Sequence, residues 1–186
     1  MRLHGLTLTL IGLMLLTGCA KDPFVTDAIH TELVAPYRLD SGDQLRIIVF
    51  GQDDLTNSYI VDQAGILSIP LIGVVPARGR TTAEVEASIA AGLRNGYLRN
   101  PDVSVEVEQY RPYFALGEVG AAGQYSYVPG MTVQQAIATA GGFTPRADKL
   151  SFQVTRSYNG QVETARLTLS DPILPGDTIY VRERHF

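Results

Sequence analysis

Cys19 is the single cysteine in a sequence of 186 residues, and only three histidines accompany it. A thiol can attack a carbonyl, hold a soft metal or take up an acyl chain. The first two roles call for a neighbouring histidine or further ligands. His30 and His185 lie at opposite ends of the chain, and His4 sits at the edge of an apolar N-terminal run. A His-based triad or a zinc site is therefore poorly supplied. Paired carboxylates offer another chemistry, glycoside hydrolysis, which needs two of them about 5–9.5 Å apart on facing walls. The candidates are Asp53-Asp54, Glu84 with Glu86, and Glu106 with Glu108. The first pair reads as a solvated turn, Glu84 as a helix cap, and Glu106 and Glu108 as one solvated strand face. Gly79 in ARGRTT makes no phosphate loop, since neither GxxxxGK[ST] nor GxGxxG occurs. These residues name no catalytic group, no metal ligand and no cofactor, and the expectation is a protein that is not an enzyme.

The segment in front of Cys19 points to the third role of its thiol. Arg2 supplies a positive charge, residues 6–16 read LTLTLIGLMLL, and the small residues Thr17 and Gly18 precede the cysteine. A charged start, an apolar run of about 7–15 residues and a small-residue cleavage site make a secretory signal peptide. The run is too short to span a bilayer, which takes roughly 20 apolar residues. Leu16-Thr17-Gly18-Cys19 resembles the lipobox of bacterial lipoproteins. That resemblance implies cleavage between Gly18 and Cys19 and acylation of the new N-terminal cysteine, palmitate being a typical chain. One acyl chain anchors only marginally at about 0.8 kcal/mol per buried CH₂, whereas three hold stably. In that class Ala20, rather than an Asp, after the cysteine implies the outer membrane.

Removal of residues 1–18 leaves 168 residues, enough for one sizeable domain or two small ones. With 45% hydrophobic and 18% charged residues, the composition is that of a globular chain. The formal net charge is -4, and -5 once Arg2 is removed. No basic run exists, which excludes nucleic acid as the expected partner. No second long apolar stretch follows the first.

Residues 19–36 show no sustained period and read as a tether. Strand-like alternation begins after the turn signal Ser41-Gly42-Asp43, with Leu45, Ile47 and Val49 in step. Residues 59–61 and 66–69 read as short strands across a turn at 62–65. Thr81 and Glu84 have capping-box spacing, and Val85, Ile89 and Leu93 follow on one helical face. Residues 102–108, DVSVEVE, alternate strictly. Residues 114–119 and 124–128 read as strands, and Thr132 with Gln135 caps a second helix that Gly141-Gly142 stops. Residues 152–158 and 162–169 flank Asn159-Gly160, a hairpin signal. Pro175-Gly176-Asp177 then opens a strand at 178–181. Gly42-Asp43 and Gly176-Asp177 open their strands with one shared form, GD-x-[LI]-x-[IV]. The pattern predicts an α+β chain of two small units that divide near Tyr110-Arg111-Pro112.

Residues 37–49, YRLDSGDQLRIIV, resemble the opening of the bacterial polysaccharide export domain, as does VDQAGILSIPLIG at 61–73 with Gly65, Pro70 and Gly73. Leu116-Gly117-Glu118-Val119, PGMTV at 129–133, AGGFT at 140–144 and LPGDTIYV at 174–181 resemble a soluble-ligand-binding β-grasp (SLBB) domain. The resemblance covers residues 37–182 and is to the outer-membrane polysaccharide export lipoproteins. It implies a signal peptide at 1–18, a tether at 19–36, an export domain at 37–110 and an SLBB domain at 111–186. Its motif residues Gly42, Asp43, Gly65, Pro70, Gly73, Gly117, Gly130, Gly141, Gly142, Gly176 and Asp177 read as structural, the glycines being turn positions that tolerate φ > 0.

The same resemblance implies a homo-oligomeric ring, an octamer among the sizes open to it. Capsular or exopolysaccharide would pass through its centre, and an inner-membrane polysaccharide copolymerase would be its partner. The alternative is a monomeric, lipid-anchored β-grasp module for a small ligand or glycan. Larger family members finish in an amphipathic helix that lines a pore. After Val181 only residues 182–186 follow, and five helical residues span about 7.5 Å against a hydrocarbon core of about 30 Å. The expectation is therefore a separate outer-membrane pore protein, a β-barrel. The tyrosines, Tyr59, Tyr97, Tyr110 and Tyr180 among them, read as half-buried strand residues, and the sequence, which has no Trp, nominates no sugar platform.

Overall fold

The computed structural model describes residues 36–158 and 161–184. The signal segment, Cys19, the tether up to residue 35, Asn159-Gly160 and His185 lie outside the described residues. Among those described, no helix is long and apolar enough to cross a membrane.

The first unit is built around β1 (Gln44–Val49), which pairs antiparallel with β2 (Asn57–Ile60) on one side and β5 (Val103–Gln109) on the other. The alternation in β1 is literal: Leu45, Ile47 and Val49 are buried, while Arg46 and Ile48 face out. Helix α1 (Thr82–Arg94) closes the core. Its capping box is complete. Thr81 Oγ1 accepts from the Glu84 N–H at 3.2 Å, and Glu84 Oε2 accepts from the Thr81 N–H at 2.8 Å. Val85, Ile89 and Leu93 are fully buried on its inner face. Each such side chain contributes about 1.5–3 kcal/mol relative to exposure.

Strand β3 (Ile66–Ile69) pairs with β4 (Gly73–Pro76), not with β2. The turn at 62–65 forms as expected, with the Gly65 N–H on the Asp62 carbonyl at 2.9 Å. The strands on either side of it do not make a hairpin, because the end of β2 is already taken. Val61 donates to the Asp43 carbonyl and accepts from the Gly42 N–H, both at 2.9 Å. The chain then folds back at Leu71, a non-glycine residue at φ 70, to bring β4 alongside β3.

The second unit is a five-stranded sheet in the order β7-β6-β10-β8-β9. Its members are β6 (Tyr113–Gly117), β7 (Gly123–Tyr125), β8 (Phe152–Tyr158), β9 (Gln161–Leu167) and β10 (Thr178–Val181). β10 runs parallel to β6 and antiparallel to β8. Helix α2 (Val133–Thr139), with its own Thr132–Gln135 capping box, covers one face of this sheet. Val133, Ala136 and Ile137 meet Phe152, Val154, Ala165 and Ile179 there, and the buried Tyr113 hydroxyl donates to the Ala136 carbonyl at 3.0 Å. The α+β class expected from the pattern is the class observed.

Two strands are shorter than the sequence suggests. β7 stops at Tyr125 rather than 128, and β6 stops at Gly117 rather than 119. Gly117 has φ 82, and a Cβ there would lie 2.1 Å from the Val181 carbonyl oxygen. The chain turns away at that point so that the Glu118 N–H can bond the same oxygen at 2.9 Å.

Candidate functional site

The two Gly-Asp strands begin with the same turn. In 40–43 the Asp43 N–H reaches the Asp40 carbonyl at 3.2 Å, and the Asp40 N–H reaches Asp43 Oδ2 at 2.9 Å. In 174–177 the Asp177 N–H reaches the Leu174 carbonyl at 3.2 Å, and the Leu174 N–H reaches Asp177 Oδ2 at 2.8 Å. Gly42 (φ 94) and Gly176 (φ 85) hold the third turn position, which only glycine takes without strain. Both aspartates are fully buried. A buried carboxylate demands a hydrogen-bonded cation, and each finds an arginine. Asp177 receives a bidentate pair from Arg156, Nε and Nη2 each at 2.8 Å. Asp43 receives the Arg111 backbone N–H at 3.0 Å, Arg111 Nη1 at 3.4 Å and the Tyr37 hydroxyl at 2.7 Å.

Arg111 lies between the units and touches both turns. A Cβ added at Gly176 would fall 2.6 Å from Arg111 Nε, so the Arg111 side chain occupies space that only glycine leaves open. The Gly176 N–H bonds the Pro112 carbonyl at 3.1 Å, and the Phe114 N–H bonds the Asp177 carbonyl at 2.9 Å. An aromatic row reinforces the joint. Tyr110 meets Tyr37 edge-on at 5.0 Å and Tyr127 edge-on at 5.6 Å. Such pairs contribute about 0.5–1.5 kcal/mol each beyond their burial.

Beside the joint opens a cleft of about 510 Å³. Asp40, Ser41, Gln63 and Arg78 line it from the first unit, Ser157 and Gly176 from the second, and Arg111 from between. Arg78 donates from Nε to Asp40 Oδ1 at 3.0 Å and from Nη2 to the Gln63 carbonyl at 2.7 Å. Planar charged groups with spare N–H donors, set among hydroxyls, suit a polyhydroxylated or oxyanionic ligand.

The remaining residues singled out in the sequence lie elsewhere. Asp53 and Asp54 are exposed in the turn after β1, and Glu84 is held in its capping box, below the ordinary carboxylate range because the Thr81 N–H donates to it. Glu108 accepts from Gln44 Nε2 at 2.8 Å on the open side of β5. Gly65, Gly73, Gly130, Gly141 and Gly142 all have positive φ, and Pro70 starts the Leu71 turn. Among the described residues no group of three His, Cys, Asp or Glu stands close enough to hold a metal ion.

Comparison with known proteins matches residues 32–108 to the polysaccharide biosynthesis/export protein family and residues 114–164 to the SLBB domain. The chain belongs to the polysaccharide export family. Its relatives include the exopolysaccharide production protein ExoF of Rhizobium meliloti (strain 1021), 37% identical over 60% of this chain and 29% of that protein. The EPS I polysaccharide export outer membrane protein EpsA of Ralstonia nicotianae is 34% identical over 68% of this chain and 34% of its own length. The polysialic acid transport protein KpsD of Escherichia coli is 23% identical over 73% of this chain and 24% of its own. The chain thus spans about a quarter to a third of the length of these relatives. The interval between the two matches, residues 109–113, holds Arg111, so in this export-family chain the joint falls where the two domains meet.

Sequence reasoning found both turns and both aspartates, but not Tyr37, Arg78, Arg111 or Arg156. The available signal was the buried-turn motif itself, since two hidden carboxylates require two cations.

Burial pushes the Tyr37 hydroxyl well above its ordinary value of 10.0, and the neighbouring Asp43 charge adds to this while Arg111 opposes it. A phenol whose folded value is raised contributes stability that is complete below the unfolded value and is lost as pH rises above it. The joint is therefore expected to weaken from about pH 10 upward. Tyr37→Phe removes the titrating group, so its unfolding midpoint should fall less steeply with pH above 10 than that of the wild type, which pH-resolved urea titrations would measure. Parallel curves for the two proteins would refute the assignment.

Proposed function

We propose that this protein is a lipid-anchored component of a polysaccharide export apparatus, facing the periplasm from the outer membrane, and that copies of it form a ring through which capsular or exopolysaccharide passes. The observation that carries the reading is the order of its two domains, an export domain followed by an SLBB domain, behind a lipobox-like Cys19. The names of ExoF, EpsA and KpsD, all in polysaccharide production, export or transport, agree with it. A conduit needs no reacting groups, only a stable wall and surfaces that join copies head to tail, the heterologous contact that closes into a ring. The joint at Arg111 supplies the stiffness such a wall requires. The partner on the inner side is a polysaccharide copolymerase of the inner membrane.

Three measurements test this. Deletion of the gene should abolish secretion of the host's polysaccharide, and the wild-type chain should restore it. Cys19→Ser should leave an uncleaved precursor and reduce secretion to the deletion level, read by membrane fractionation and mass spectrometry of the mature N-terminus. Normal processing and secretion in that variant would refute the anchor. Mass determination in mild detergent separates a ring from the monomeric binding module.

A further inference from the structure

Helix α2 covers one face of the five-stranded sheet, and nothing in the described residues covers the other. Burial alternates cleanly along its strands, so the outward positions are defined: Phe114 and Leu116 on β6, Thr178 and Tyr180 on β10, Gln153 and Thr155 on β8. The register sets them in rows across the sheet. One row runs Gln124, Phe114, Thr178, Thr155, Thr164 over all five strands. At about 4.8 Å per strand it is about 19 Å long. The next row runs Leu116, Tyr180, Gln153, Arg166. Among the described residues of these rows, Arg166 is the one charged side chain. Hydroxyls and amides make up most of the rest, and Thr155 and Thr164 are in hydrogen-bond contact at 3.3 Å. Phe114, Leu116 and Tyr180 are 38%, 39% and 46% exposed, half-sunk rather than projecting.

The face is continuous with the cleft at the joint. Ser157, two residues beyond Thr155 on the same side of β8, lines the cleft, and Gly176 lies two residues before Thr178. A track therefore runs from the rows of neutral polar and ring-bearing side chains into the pocket where Arg78 and Arg111 offer N–H donors and Asp40 an acceptor. An obligate interface to another protein has a more apolar centre than three half-sunk side chains supply. Neutral donors and acceptors around an aromatic ring, ending in planar bidentate groups, match the alternating C–H faces and hydroxyls of a sugar chain.

We propose that this outer sheet face and the adjoining cleft form a binding track for a hexose oligosaccharide, with Tyr180 and Phe114 as stacking surfaces and Gln153, Thr155 and Thr178 as hydroxyl partners. The proposal deepens the reading of the protein as an exporter and rests on it for the identity of the ligand. The probe is a set of oligosaccharides made by mild acid hydrolysis of the host's own secreted polysaccharide, titrated calorimetrically into the detergent-solubilised full chain. The wild type should bind them, and Tyr180→Ala with Gln153→Ala, both at outward positions, should weaken binding at least tenfold without changing sedimentation or the unfolding midpoint. Arg78→Gln should weaken binding of acidic fragments more than that of neutral ones. Equal binding by wild type and double variant, or no wild-type binding up to millimolar probe, would overturn the track. A change in oligomer size in the double variant would also overturn it, assigning the face to a second copy of the chain instead. The exporter reading is judged separately by secretion from the deletion strain carrying the wild-type gene, so either can fail while the other stands.

Discussion

Replacing Asp177 by alanine is expected to lower the unfolding free energy by about 3–5 kcal/mol, the range for removing one member of a buried ion pair. The carboxylate is fully buried, and its partner Arg156 is only 4% exposed. Two hydrogen bonds of 2.8 Å join them, and a third of 2.8 Å ties the same carboxylate to the Leu174 N–H. Alanine would leave a buried guanidinium with its carboxylate gone, and would free the turn that launches β10. That strand is central, lying between β6 and β8, so its loss reaches the whole second unit. Asp177→Asn retains acceptor and shape and should cost less. The double variant Asp177→Leu, Arg156→Met should recover part of the loss, since a buried pair is often replaceable by apolar groups of similar volume even though half of it is not. Urea denaturation followed by circular dichroism measures all three. A single-alanine effect below about 1 kcal/mol would mean that water reaches the pair.

The contrast between β10 and its opening turn shows what a sequence can and cannot tell. Strands β1, β5 and β10 are legible because alternation of Val, Ile and Leu with polar residues is a local code for a half-buried strand. Both capping boxes are equally local, set by residues three apart. The role of Asp43 is not local: its cation, Arg111, lies 68 residues away, and nothing near either residue announces the other. The pairing of β3 with β4 was also hidden, because it depends on Val61 already being bonded to the Gly42-Asp43 turn. Tyr180 illustrates a third limit. Its outward position follows from period two, but whether that face is covered depends on where α2 lands, which Val133 and Ile137 decide from another part of the chain.

Asp43→Ala is expected to make the two units unfold separately. In the wild type Asp43 accepts hydrogen bonds from Tyr37, from the Asp40 N–H and from both the backbone and the side chain of Arg111. The last two cross from the first unit to the joint, and Arg111 in turn lies against Gly176 of the second. Alanine therefore strips the half-buried Arg111 guanidinium and Tyr37 hydroxyl of their shared acceptor. The loss should be about 3–5 kcal/mol, and it falls at the place where the units are coupled. What remains across the joint is the Arg111 Nη1 bond to the Tyr37 hydroxyl at 3.0 Å, the Arg111–Asp40 ion pair at 3.8 Å, the backbone bond between Gly176 and Pro112 and the Tyr110 ring contacts. Those contribute too little to keep two cores, one spanning 39–105 and one 113–181, in a single cooperative step. Calorimetry should show one transition for the wild type and two for Asp43→Ala, the earlier belonging to the first unit, whose strand β1 starts at the damaged turn. Arg111→Ala should reproduce the split, and a double-mutant cycle between the two positions should return a coupling of about 0.5–3 kcal/mol. The proposed ring requires a stiff wall, so on that proposal secretion should fall in Asp43→Ala at temperatures where both units are still folded. A single transition in the variant, with strictly additive effects of the two substitutions, would show that the units are coupled through some other contact.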